Sequence, residues 1–104
     1  MVKWLTMLVL LLPLKAGAYQ QTCEVTAYTP HENGSITASG KTPRVGMAAA
    51  DHLPFGTKII VHGKMYVIED RFGGGYTDRI DLFFESHDKA MEFGRQVVVI
   101  EVVE

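Results

Sequence analysis

EDRFGGGYTDRIDLFF, residues Glu69 to Phe84, sets four carboxylates around three consecutive glycines and then runs into an apolar, strand-like segment. Asp81 falls inside that segment, between Ile80 and Leu82. Desolvating a lone carboxylate is costly and raises its pKa, so an aspartate embedded in an apolar strand either has partners or has chemistry to do. Two more aspartates share the habit. Asp70 closes MYVIED and Asp51 closes VGMAAAD, each at the end of an apolar run. In a barrel such positions converge at one mouth or groove, where carboxylates push one another's pKa upward. That leaves one protonated acid beside ionised neighbours, the arrangement that glycoside-bond cleavage uses.

Working outward, the chain reads as short strands. Cys23 to Thr29 alternates and is rich in β-formers until Pro30 stops it. Residues 31 to 43, with Asn33-Gly34, Ser39-Gly40 and Pro43, are loop chemistry. Val45 to Ala50 is a short buried strand that delivers Asp51. Thr57 to His62 and Lys64 to Glu69 form a hairpin around His62-Gly63. Gly73-Gly74-Gly75 is a flexible loop, and Arg79 to Phe84 and Arg95 to Val103 are strands. One helix is predicted, with Ser86 as its N-cap, Ala90, Met91 and Phe93 as its apolar face and Gly94 as its stop. About six strands with one small helix leave no second layer, so the fold class is all-β, mainly β with one short helix, closed into a barrel.

The chain has 104 residues and 47% hydrophobic content, which suits one domain. MVKWLTMLVLLLPLKAGA, residues 1–18, has a basic start, an apolar run and a small-residue end, the plan of a secretory signal peptide cleaved after Ala18. Its apolar run is about ten residues against the ~20 a spanning helix needs, so no stable membrane insertion is expected after cleavage. The domain is then residues 19–104, placed outside the cytoplasm, secreted or periplasmic. Eight basic side chains remain against twelve acidic ones, a net charge of −4 that gives nucleic acid no purchase. Cys23 is the only cysteine and reads as a small buried hydrophobe.

The pieces VTAYTP (Val25 to Pro30), TASGKTPRVGMAAAD (Thr37 to Asp51), PFGTKIIV (Pro54 to Val61), EDRFGGGYTDRIDLFF and AMEFGRQVVVIEV (Ala90 to Val102) follow one another over nearly all of residues 19–104. In that order they resemble the three-aspartate, or 3D, domain family, which is related to the barrel part of membrane-bound lytic transglycosylase A. The resemblance matches the family's three aspartates to Asp51, Asp70 and Asp81. It implies a six-stranded double-psi β-barrel and a peptidoglycan lytic transglycosylase acting on glycan strands without a cofactor. Many family members carry Thr-Gly-Gly after the middle aspartate, where this chain has Arg71-Phe72-Gly73.

Such an enzyme breaks the bond between N-acetylmuramic acid and N-acetylglucosamine without water, because the muramic acid's 6-hydroxyl attacks its own anomeric carbon. One carboxyl group suffices if its pKa lies near the working pH. Asp81, flanked by Ile80 and Leu82, is expected to be that group, with Asp70 and Asp51 ionised beside it. Tyr28, Phe55, Phe72 and Tyr76 are candidates for stacking on sugar rings, with core packing the default for Phe55. His52 adjoins Asp51 and is a candidate substrate contact; Thr57 is a candidate partner for an aspartate. Glu69, Asp78 and Asp88 read as solvated or capping groups. The four histidines, His31, His52, His62 and His87, have no metal-ligand spacing, and no metal is expected. Two other readings stay open: a non-catalytic peptidoglycan-binding module, and a cell-wall glycoside hydrolase.

Overall fold

A computed structural model describes residues 17–29 and 36–104. Six strands close into a barrel: β1 (Ala18–Tyr28), β2 (Met47–Ala49), β3 (Lys58–Val61), β4 (Lys64–Asp70), β5 (Arg79–Phe83) and β6 (Gln96–Val103), in the order β1-β5-β2-β4-β3-β6. One helix, α1 (His87–Phe93), sits between β5 and β6. Four of the six strand contacts are antiparallel, while β1 with β5 and β2 with β4 run parallel. The expected signal segment lies outside the described residues up to residue 16. Gly17 and Ala18 belong to the barrel: Glu104 N–H donates to the Gly17 carbonyl and Ala18 pairs with Val103.

Alternation decides which side chains fill the interior. Cys23 and Val25 on β1, Ala48 on β2, Ile59 and Val61 on β3, Tyr66 and Ile68 on β4, Ile80 and Leu82 on β5, and Val98, Ile100 and Val102 on β6 form one buried cluster. Their period of two is the pleat of the strand. Cys23 is among them, and burial pushes its thiol up to about 11, as befits an inert packing group. Outside the barrel wall, Met47, Ala49 and Phe83 form a second small cluster, against which Tyr28 packs edge-on with ring centroids 4.6 Å apart.

The β3–β4 hairpin turns as its sequence requires, with His62 at φ 50° and Gly63 at φ 79°, both in the left-handed region a two-residue type I′ turn needs. On α1, Ser86 Oγ accepts from the Lys89 N–H, and Gly94 ends the helix at φ 67°. The expected apolar helix face is smaller than its pattern: Ala90 is buried and Phe93 packs on Phe84, but Met91 points to solvent at 67% exposure. Strand β1 begins at Ala18, well ahead of Cys23, because the polar-looking Tyr19 to Thr22 pair continuously with β6.

Candidate active site

The barrel wall carries one row of chemistry on its outer face. Across β1, β5, β2 and β4, the register aligns Thr26 with Asp81, Asp81 with Ala49, and Ala49 with Asp70. Neighbouring strands lie about 4.8 Å apart, so the backbones at Asp81 and Asp70 are roughly 10 Å apart, with the Ala49 position between them. Small Ala49 makes a floor and the two aspartates make the sides.

Asp81 reaches this face by simple alternation, since Ile80 and Leu82 point inward to the core. The expectation that those two residues supply its apolar surroundings is therefore corrected. Asp81 is half-buried among outward-facing groups, beside the Met47, Ala49 and Phe83 cluster. Desolvation there raises its carboxyl to about 6, with the Asp70 charge adding to the rise and a hydrogen bond from Thr26 opposing it. That bond, 2.9 Å, runs from Thr26 Oγ1 to Asp81 Oδ1. Among the described residues no donor reaches Oδ2.

Asp70 reaches the face by a device the sequence does not display. In β4, Tyr66 and Ile68 face the core, and strict alternation would send residue 70 inward after them. The register between β2 and β4 shifts at Ala48/Ala49, so that Ala48 pairs with Ile68 but Ala49 with Asp70. The extra residue, Glu69, is absorbed as a bulge, and bulges re-aim the side chains that follow them. Asp70 Oδ1 then accepts from the N–H groups of Ala38 and Arg71, both at 2.9 Å. Glu69, expected to be solvated, is instead buried and receives Lys41 Nζ at 2.9 Å, which holds its carboxyl below the usual range.

Tyr28 stands at the same place. Burial raises its phenol far above the ordinary range, with the charges of Asp70 and Asp81 adding to the effect. It is a neutral O–H beside two carboxyl groups, and its ring is committed to Phe83.

Asp51 does something else. Its Oδ1 accepts from the N–H groups of Phe72 (2.7 Å) and Gly73 (3.0 Å), and its Oδ2 from Gly74 (3.0 Å), Gly75 (2.8 Å) and Tyr76 (3.2 Å). Five consecutive amides thus close on one carboxylate. Gly73 at φ 94° and Gly75 at φ 73° flank Gly74, whose φ is not in that region; such alternation turns successive N–H groups to one side and makes an anion nest. The Gly73 amide and its neighbours hold Asp51 down at about 2. The glycine run is therefore a loop pinned by an internal anion, and the flexible loop expected there is corrected. Asp51 has no oxygen left over to join Asp81.

The remaining candidates separate. His52 Nε2 lies 2.9 Å from Gln21 Oε1, its Nδ1 is buried with no partner among the described residues, and desolvation lowers its pKa, which favours the neutral ring. Thr57 contributes backbone to the turn before β3, its N–H donating to the Pro54 carbonyl and its carbonyl accepting from Ile68, and no hydrogen bond joins it to an aspartate. Phe55 is not a core residue: it is 42% exposed under the Arg71 guanidinium, 3.9 Å from the ring centroid. Tyr76 lies 5.7 Å edge-on from Phe72 with the Arg79 guanidinium 4.4 Å over its ring. A cleft of about 200 Å³ is lined by Val45, Lys64, Met65, Phe83, Phe84 and Lys89, and none of the aspartates lines it.

Thr26, the hydrogen-bond donor to Asp81, was not among the residues singled out from the sequence. Its position opposite Asp81 depends on the parallel pairing of β1 with β5, a contact between residues 55 apart in the chain. No family model matches the chain, and no curated protein matches its sequence.

Proposed function

We propose that this protein is a peptidoglycan lytic transglycosylase of the three-aspartate type, with Asp81 as its acid and base. The observation that carries the reading is the pairing of Asp81 and Asp70 across Ala49 on the outer wall, with Asp81 held near pH 6. A group that must give a proton and then take one back works best with its pKa close to the working pH. Two parallel strand pairs within an otherwise antiparallel closed barrel also support a double-psi arrangement.

The chemistry needs one mobile proton. Asp81 Oδ2, without a donor among the described residues while Thr26 occupies Oδ1, protonates the oxygen leaving the muramic acid anomeric carbon, and that carbon–oxygen bond breaks. The positive charge spread over the ring sits between the Asp81 carboxylate and Asp70. The muramic acid 6-hydroxyl then attacks the anomeric carbon and returns its proton to Asp81, closing a 1,6-anhydro ring and restoring the enzyme. Tyr28 offers an O–H to substrate oxygens at the same face. Glycan strands are the partner, and export by the N-terminal segment would bring the two together. Cleavage after Ala18 would cost β1 only its first pair with β6.

Asp81→Asn keeps the shape and removes the transferable proton, so release of soluble fragments from purified sacculi should fall at least ~100-fold. Asp70→Asn should also impair release strongly. Retention of most activity by Asp81→Asn, with Asp70→Asn dead, would exchange the two roles.

A further inference from the structure

We propose that the pinned loop 72–76 is a saccharide-binding platform, with Phe72 and Tyr76 as its contact surface and Asp51 as the positioning residue that holds it in place. This rests on the reading of the adjoining face as a glycan-cleaving centre, and names how the strand is held beside it.

The first ground is construction. Phe72 and Tyr76 open and close the five-residue run whose amides close on Asp51, so both aromatic positions are fixed by one carboxylate. The two rings lean edge to face at 82°, and Gly74 lies so close under Tyr76 that an added Cβ would meet the ring at 2.6 Å. Yet Phe72 and Tyr76 stay 37% and 40% exposed. Exposed aromatics held this firmly are a built surface without an internal occupant.

The second ground is position. Arg79, whose guanidinium lies over Tyr76, precedes Asp81 by two residues on β5 and shares its outer face, roughly 7 Å along the strand. On the other side Arg71, directly after Asp70, lies over exposed Phe55. Aromatic rings and guanidinium groups therefore continue the row that begins at Asp81 and Asp70. The ligand chemistry follows: flat apolar rings suit the C–H faces of pyranose sugars, and the two guanidinium groups, held in place by Glu24 on Arg79 Nε (3.1 Å) and by the Ala50 carbonyl on Arg71 Nη1 (2.8 Å), add positive charge that suits the carboxylate a muramic acid carries. A glycan strand of N-acetylated sugars, some bearing carboxylates, fits both.

The experiment uses the full chain carrying Asp81→Asn, so that sacculi are bound without being cut, and measures co-sedimentation over a range of sacculus concentrations. Adding Phe72→Ala with Tyr76→Ala should raise the half-saturating concentration roughly tenfold. Gly74→Ala, which displaces the Tyr76 ring, should act in the same direction. Asp51→Asn should weaken binding similarly but add little on top of the double alanine change, because both remove the same platform. A merely structural Asp51 would instead give additive losses. Undiminished binding by folded Phe72→Ala/Tyr76→Ala protein would overturn the proposal, as would a concentration-dependent dimer, seen by sedimentation, that those changes abolish. If the wild type binds through these rings but releases no fragments, the platform stands and the enzyme reading fails.

Discussion

At the scale of single residues, the site turns on one hydrogen bond. Thr26 stabilises the charged form of Asp81, while burial and the Asp70 charge favour the neutral form, and the outcome is a carboxyl near 6. Among the described residues, the groups facing Asp81 are Thr26 and Tyr28 from β1, the Met47 and Ala49 side chains from β2, and Asp70 from β4. Thr26→Val removes the donor and keeps the volume, so the Asp81 pKa should rise further. With Asp81 as the proposed acid, protonated in the free protein, kcat/KM should fall as pH rises through that pKa, and the falling limb should move to higher pH in the valine variant. Thr26→Ser should keep it in place. Carbon-13 titration of the Asp81 carboxyl reads the shift without activity, and an unmoved titration in the valine variant would remove Thr26 from the mechanism.

At the scale of elements, the loop after β4 is the unusual piece. Gly73 and Gly75 supply backbone conformations in which other residues are strained by roughly 1–2 kcal/mol each, and Asp51 supplies the charge that gathers the amides. The sign of its pH effect follows from its depressed pKa. A carboxyl held at about 2 when folded, and near its ordinary value when unfolded, adds stability that is fully present above about pH 4 and lost as pH falls toward 2. Asp51→Asn should therefore lower Tm at pH 7 and differ less and less from wild type between pH 4 and pH 2. Melting curves followed by circular dichroism check this, and a gap of constant size across that range would contradict the nest as the source of the shift.

The same loop shows where sequence reasoning stops. The strand segments were largely readable, as were the hairpin glycine and the helix caps, because those signals are local; the first residues of β1, from Ala18, were not. The direction of Asp70 was not, since it depends on a bulge set by pairing with β2, far away in the chain. Nor could the partner of Asp51 be read from Gly73 to Gly75: three glycines permit a nest, but only the fold brings in the anion. Ile80 and Leu82 looked like the walls around Asp81, though the pleat turns them away. Strand neighbours tell which faces alternate; cross-strand neighbours tell what each face meets.

At the scale of the whole molecule, a closed barrel leaves no sheet edge unpaired and builds its interior from one apolar cluster without a disulfide. The proposed site lies on the outer wall, where Thr26, Asp81, Ala49 and Asp70 sit on four strands hydrogen-bonded side by side. A rigid frame suits a reaction in which one carboxyl must serve two proton transfers without moving. Asp51, with both oxygens filled, is not free to activate water, whereas Asp70 accepts through Oδ1 alone among the described residues, so the products distinguish intramolecular attack from hydrolysis. Mass spectrometry of the fragments released from purified sacculi tests this most directly. Muropeptides ending in 1,6-anhydro-muramic acid, each lighter by one water than a hydrolysis product and absent with Asp81→Asn, are the expected result; fragments ending in reducing sugars would contradict it.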